Sequence, residues 1–131
     1  MHTTNTSTPN IYKLICPSRQ LLSRIGDKWS VMVLLELIEE PKRFGYLKRT
    51  CEGVSQKMLT QTLRQLEIDR LITRSVIQEK PLQVQYSLTT LGLDLTIHLR
   101  PLVDWVHNNF QSINESKVNS KLLETENVWN Y

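Results

Sequence analysis

Five polar side chains in one short stretch have the types and spacing to read nucleic acid. Gln56, Lys57, Thr60, Gln61 and Arg64 are interleaved with Leu59, Leu63 and Leu66. The leucines recur at i, i+4 and i+7, which is one face of a helix. At roughly 100° per residue, Lys57, Thr60, Gln61 and Arg64 fall on the opposite, exposed side. Gln and Arg carry paired groups that match adenine and guanine edges, whereas Lys and Thr suit phosphates or base edges. Ser55 stands where an N-cap belongs, and Gly53 ahead of it supplies the permissive backbone of a tight turn between helices. A different chemistry is available at Cys16. Beside a helix N-terminus it feels the positive end of the dipole, and Arg19 adds charge, both favouring the reactive thiolate. The other reading of Cys16 is a small inert thiol. Cys51 reads as a turn residue or as a resolving partner for Cys16.

The elements that must position these groups follow from local pattern. Ser18 is the expected cap of a short helix over 19–25, with Leu21, Leu22 and Ile25 on its inner side. Asp27 caps the next helix, 28–39, which is apolar nearly all round and so central, and Pro41 stops it. A third helix spans about 45–50, with Phe44 and Leu47 turned inward. After the fourth helix, residues 71–78 are β-branched and partly alternating, and 84–88 read as their partner strand, with 79–83 as the connecting loop. Residues 89–110 form a last helix, carrying Leu91, Leu95, Leu99, Leu102, Val106 and Phe110 beside Trp105, with a kink expected at Pro101. Trp29, Trp105 and these leucines serve either as core and subunit interface or as the lining of a ligand cavity. Helix, turn, helix and two-stranded ribbon, in that order, make a winged helix-turn-helix, mostly α with a small β-wing.

Charge follows the same division. Residues 1–41 hold four basic and four acidic side chains, residues 42–80 nine and four, and residues 81–131 three and five. The net charge of +3 is thus a +5 segment set between neutral and −2 flanks, and the surplus lies on the expected DNA reader. Enzyme readings fare poorly. His2, His98 and His107 have no metal-ligand spacing with one another or with the two cysteines, there is no Gly-rich phosphate loop, and Ser55 and Ser87 have no identifiable base. No metal or cofactor is expected. No apolar run approaches the ~20 residues of a membrane span. The polar start has no signal-peptide core, and two cysteines are too few for a disulfide scaffold, so a cytoplasmic protein is expected.

Taken together, the segments resemble the HxlR family of bacterial winged-helix regulators, which shares its broad fold with the MarR group. The resemblance covers about residues 16–110. It is carried by Cys16-Pro17, Ile25-Gly26-Asp27-Lys28-Trp29, Arg43-Phe44 with Leu47, and Gly53-Val54-Ser55-Gln56-Lys57-Met58-Leu59-Thr60. It continues through Leu63-Arg64-Gln65-Leu66-Glu67, Asp69, Val84-Gln85-Tyr86-Ser87-Leu88-Thr89, Leu91-Gly92 and Trp105. Four positions depart from the family pattern. Asp27 replaces a Gly, Tyr46 replaces a Glu, Arg70 replaces the Gly that normally closes the recognition helix, and Gln83 replaces a wing Arg. Lys80 or Arg74 are the wing cations left to substitute.

The resemblance implies a homodimer, and because a helix with this much apolar surface needs a partner, the N-terminal and C-terminal helices are the expected seam, through Leu21, Leu22, Leu95, Leu99, Leu102, Trp105, Val106 and Phe110. Arg43, Ser55, Gln56, Lys57, Thr60, Gln61, Arg64, Arg74, Lys80 and Gln83 are the residues expected to meet double-stranded DNA. The expected function is a transcriptional regulator, a repressor acting by occlusion of a pseudo-palindromic promoter site. Cys16 is a candidate redox sensor, and a small molecule or electrophile a candidate effector. The competing class is a winged-helix module that contacts protein and has no sequence-specific DNA binding. Residues 1–15 are expected to be a flexible arm, 16–110 the domain, and 111–131 a tail or short extra helix.

Overall fold

The computed structural model describes residue 8 and residues 10–123. Most of the expected arm and the apolar pair Val128-Trp129 lie outside the described residues. The elements run α1 (Pro17–Ile25), α2 (Lys28–Glu36), β1 (Lys42–Arg43), α3 (Phe44–Thr50), α4 (Gln56–Ile68), β2 (Ile72–Glu79), β3 (Leu82–Leu88) and α5 (Thr90–Leu123). Two compact units are distinguished, residues 1–96 and residues 97–131. The first holds the helix-turn-helix and the sheet, and the second holds most of α5.

The core of the first unit is built from Val33, Leu34 and Leu37 of the central segment, Leu47 of α3, and Leu59, Leu63 and Leu66 of α4, all buried. The expected α4 stripe is therefore the buried one. Asp27 caps α2 as expected: its Oδ2 accepts from the Ser30 amide at 3.1 Å and from the Ser30 hydroxyl at 3.0 Å. That pairing satisfies the buried Ser30.

Several boundaries differ from the sequence reading. Cys16, not Ser18, holds the N-cap position of α1, because Pro17 with its fixed φ opens the helix. The central helix ends at Glu36 rather than at residue 39, well short of Pro41. A two-residue strand, β1, pairs with β3 and makes the sheet three-stranded, in the order β1-β3-β2. The wing strands reach farther than expected, so only Lys80-Pro81 separates them, and an irregularity at Ile77 interrupts the ladder. Residues 10–15 carry turn hydrogen bonds, such as Lys13 N to Asn10 O at 3.0 Å. Helix α5 runs on to Leu123, where the sequence reading has a tail or short extra helix beyond Phe110.

The end of α4 matters for what it positions. Arg70 sits at φ 62°, the left-handed conformation usually given to Gly. The closure is a Schellman motif: Leu71 N donates to Leu66 O at 3.0 Å, and Arg70 N to Glu67 O at 3.0 Å. Leu66 and Leu71 are both buried, which supplies the apolar contact that accompanies the motif. The conformation costs an Arg up to ~1 kcal/mol relative to Gly, and the surrounding bonds hold it there.

Candidate nucleic-acid interface

Helix α3, the Gly53 turn and α4 present the candidate reading face. Gly53 adopts φ +93°, so the tight turn does use glycine's freedom. A Cβ there would lie 3.7 Å from the Trp29 ring, so backbone strain, not crowding, dictates the residue. The Ser55 hydroxyl accepts from the Met58 amide at 3.0 Å, the N-cap that orients the first turn of α4. Gln56, Lys57, Thr60, Gln61 and Arg64 are all exposed, and the structure gives none of them an ion pair or side-chain hydrogen bond among the described residues.

The far end of α4 is tied down. Gln65 Nε2 donates to Asp69 Oδ1 at 3.2 Å, and Arg24 Nε of α1 approaches Asp69 Oδ2 at 3.3 Å. The ion pair is close but misaligned, and neither of its two facing atoms completes a hydrogen bond among the described residues. It anchors by charge more than by directed bonding.

The wing brings two of the expected residues together. Arg43 Nη1 donates to Gln83 Oε1 at 2.9 Å, across 40 residues of sequence. Arg74 is exposed on β2 opposite Tyr86, and Lys80 is exposed at the turn. Lys42 is held away from this role: its Nζ lies 3.1 Å from Glu40 Oε1 and 4.3 Å from the centroid of the Tyr46 ring. The Glu40 hydrogen bond raises the Lys42 ammonium above its ordinary range, against the opposing effect of burial. Arg49 lines the same open cleft of ≈ 640 Å³ as Arg43 and Gln83. Only the pairing of β1 with β3 brings these residues together, and two residues of strand leave no periodic signal.

The two thiols differ sharply. The Arg19 backbone amide, helped by the backbone and hydroxyl of Ser18 and the backbone of Asn10, lowers the Cys16 pKa below the ordinary thiol range, against a desolvation penalty. Cys16 is half-buried at the start of α1. Cys51 is buried, and burial followed by the charge of Glu36 pushes its pKa up. Iodoacetamide at neutral pH is therefore expected to alkylate Cys16 roughly tenfold faster than Cys51 in the folded protein. Equal rates by peptide mass spectrometry would contradict this difference.

Of the expected seam residues, Leu21, Leu22, Leu102, Trp105, Val106 and Phe110 are exposed. Leu95 is half-buried and Leu99 is buried. Among the described residues no cluster of His, Cys, Asp and Glu has the arrangement to hold a metal, and no helix is long and apolar enough to cross a membrane.

Known proteins match this arrangement closely. The HxlR-like helix-turn-helix family matches residues 24–114. The uncharacterized HTH-type transcriptional regulator YtfH of Escherichia coli is 38% identical over 104 residues, 79% of this chain and 82% of that protein. The solved structure of ytfH from Salmonella typhimurium superposes with a TM-score of 0.79 at 34% identity, covering 84% of this chain and 98% of that one. The redox regulator HypR in its reduced form superposes with a TM-score of 0.69 at 33% identity, covering 76% and 98%. With its capped α4, its three-stranded wing and these matches, the chain belongs to the HxlR-like helix-turn-helix family, a family of transcriptional regulators and not of enzymes.

Proposed function

We propose that the chain binds double-stranded DNA as a homodimer and represses transcription by occluding a promoter site. The observation that carries this is the α4 face. Five polar or basic side chains stand exposed and unpaired among the described residues, on a helix fixed at one end by the Ser55 cap and at the other by Arg24 and Asp69. Such a helix enters the major groove without having to release its side chains from other partners. Ser55, Arg43, Arg74, Lys80 and Gln83 extend the contact toward the flanking backbone.

Dimerisation draws on exposed apolar surface, from Leu21 and Leu22 on α1 and from Leu102, Trp105, Val106 and Phe110 on α5. Two-fold symmetry then sets two α4 helices about one DNA turn apart, ~34 Å. The thiol of Cys16 is the candidate trigger, responsive to an oxidant or electrophile. The backbone donors at the start of α1 that lower the pKa of that thiol support it, as does the similarity to a redox regulator. A small-molecule effector acts through the same dimer seam in this reading.

Selection of bound duplexes from a random pool tests the proposal. Two inverted half-sites with centres about 10 base pairs apart are expected. A single half-site with no inverted partner would contradict the dimeric reading, and no enrichment at all would contradict sequence-specific binding.

A further inference from the structure

We propose that the groove between α1, α2 and the flank of α4 binds a small carboxylate with an apolar body, and that its occupant competes with DNA for Arg64 and Gln61. The proposal rests on the DNA-binding reading and deepens it, naming an effector site within one subunit and apart from the dimer seam. The groove holds ≈ 490 Å³, inside the roughly 300–1,000 Å³ typical of small-molecule sites. Every residue lining it belongs to the first compact unit.

One wall is a stripe of α4. Met58, Gln61, Thr62, Gln65 and Ile68 follow one another at helical spacing and all line the groove. The stripe lies beside the buried Leu59, Leu63 and Leu66, and Gln61 with Arg64 forms its border with the DNA-reading face. Met58 and Ile68 are exposed, at 41% and 65%. They offer apolar surface that a ligand body would cover. The floor is polar. Ser30 and Thr62 line the groove and are only 4% and 6% exposed. Ser30 is satisfied, since its hydroxyl donates to Asp27 Oδ2 at 3.0 Å. Thr62 is not: within α4 the bonded side chains are Gln65 and the capping Ser55, and the Thr62 hydroxyl has no partner among the described residues. Thr96, equally buried, donates to Leu93 O at 2.6 Å. A buried hydroxyl left open toward a groove is a donor held ready for an acceptor.

Charge sets the sign of the ligand. Arg24 and Arg64 line the groove against a single acid, Asp27, whose Oδ2 is committed to the Ser30 amide and hydroxyl. Arg24 turns its Nε toward Asp69 at 3.3 Å, which leaves its two Nη groups without a partner among the described residues. Arg64 has no ion pair there at all. A carboxylate thus finds a hydroxyl donor at the floor and guanidinium donors at the walls, and bonds of that kind are charge-assisted. An acid held by Arg64 and Gln61 withdraws both side chains from the major groove. Ligand and DNA then weaken each other by the same factor.

Benzoate is the probe, titrated into the full chain and followed by amide proton–nitrogen NMR. Shifts are expected at Ser30, Thr62 and Gln65, with benzamide, which lacks the charge, and acetate, which lacks the body, each binding about tenfold more weakly or worse. Thr62→Val removes the floor donor and keeps the shape. It is expected to weaken benzoate about tenfold while leaving duplex affinity and thermal melting as in wild type. Ser23→Phe, at an exposed position on the α1 wall, fills the groove and is expected to abolish benzoate binding without loss of duplex binding. In fluorescence anisotropy, saturating benzoate is expected to weaken the wild-type chain on its selected duplex by about fivefold or more, relative to chloride at equal ionic strength. The same benzoate concentration is expected to have little effect on either variant.

Equal binding of benzoate and benzamide would overturn recognition of the carboxylate. Wild-type benzoate affinity in both variants, or shifts confined to α5, would place the ligand elsewhere and overturn the site. Absence of shifts at tens of millimolar benzoate, in a chain that binds duplex selectively, would overturn the site while leaving the DNA reading intact. Benzoate seated in the groove with duplex affinity unchanged would overturn the competition. A chain that seats benzoate but binds no duplex would overturn the DNA reading and the competition with it.

Discussion

Gly92→Ala is expected to destabilise the fold by about 3 kcal/mol or more, a large share of the 5–15 kcal/mol that holds such a domain together. A Cβ at this position would stand 2.0 Å from the Leu71 carbonyl oxygen, 3.0 Å from its carbon and 3.1 Å from Leu88 Cδ2. The first turn of α5 presses directly on the link between α4 and β2. That carbonyl has no freedom to retreat. It accepts from the Thr89 amide at 3.1 Å, and the Leu71 amide is committed to Leu66 O at 3.0 Å.

Thr89 completes the lock. Its hydroxyl accepts from the Gly92 amide at 2.9 Å as the cap of α5, and its single proton faces Arg70 O at 2.7 Å, with Leu71 O farther off at 3.1 Å. Relieving the clash therefore breaks a cap and disturbs the Schellman closure of α4 together. The thermal midpoint by circular dichroism is expected to fall by more than about 10 °C. Gly45→Ala is the control. Its Cβ meets only the flexible end of Arg49 at 3.3 Å, so the change should stay within about 1 kcal/mol. A Gly92→Ala midpoint equal to wild type would contradict the close approach.

The second large effect is expected on DNA. Arg64→Ala should weaken binding to the selected site by about 1–3 kcal/mol, a factor of roughly ten to a hundred, with less effect on unrelated duplex. Lys57→Ala should weaken both about equally and lower the salt slope by about 1. The double variant should lose selective binding in a filter or anisotropy assay while melting like wild type, because both side chains are exposed and carry no packing. An equal loss on all sequences would make Arg64 a phosphate contact. A double variant with wild-type affinity would remove α4 from the interface.

The local rules in the sequence carried most of the helical frame. Asp27 and Ser55 cap where their short polar side chains say they should, because an N-cap needs only residues two or three positions away. The α4 leucines reveal their buried face for the same reason: periodicity is a property of the segment itself. Features made by distant approach were not legible. Strand β1 exists only because Lys42 and Arg43 meet Tyr86 and Gln85. Gly92 in a helical turn looks merely unfavourable until the Leu71 carbonyl is seen against it.

The candidate site divides along the same line. The α4 residues were legible as a face, whereas the bond between Arg43 and Gln83 spans 40 residues and Arg49 joins them only in the folded chain. The C-terminal extension of α5 was missed for another reason. The Ser and Asn residues of 112–120 favour turns locally, yet the helix continues, with Gln111 and Glu115 in contact one turn apart at 3.5 Å. Leu99 shows the limit of pattern on that helix. It shares the apolar stripe with Leu102 and Val106 but is buried within the chain while they are exposed.

Titration of the reduced protein onto the DNA immediately upstream of its own gene, with a scrambled duplex as competitor and at two salt concentrations, tests the central claim most directly. The account predicts tight binding that survives the competitor and weakens steeply with salt. Binding that the scrambled duplex displaces as readily as the genuine one, at both salts and on duplexes recovered by selection as well, would contradict a sequence-specific regulator and turn the winged helix into a protein-contact module.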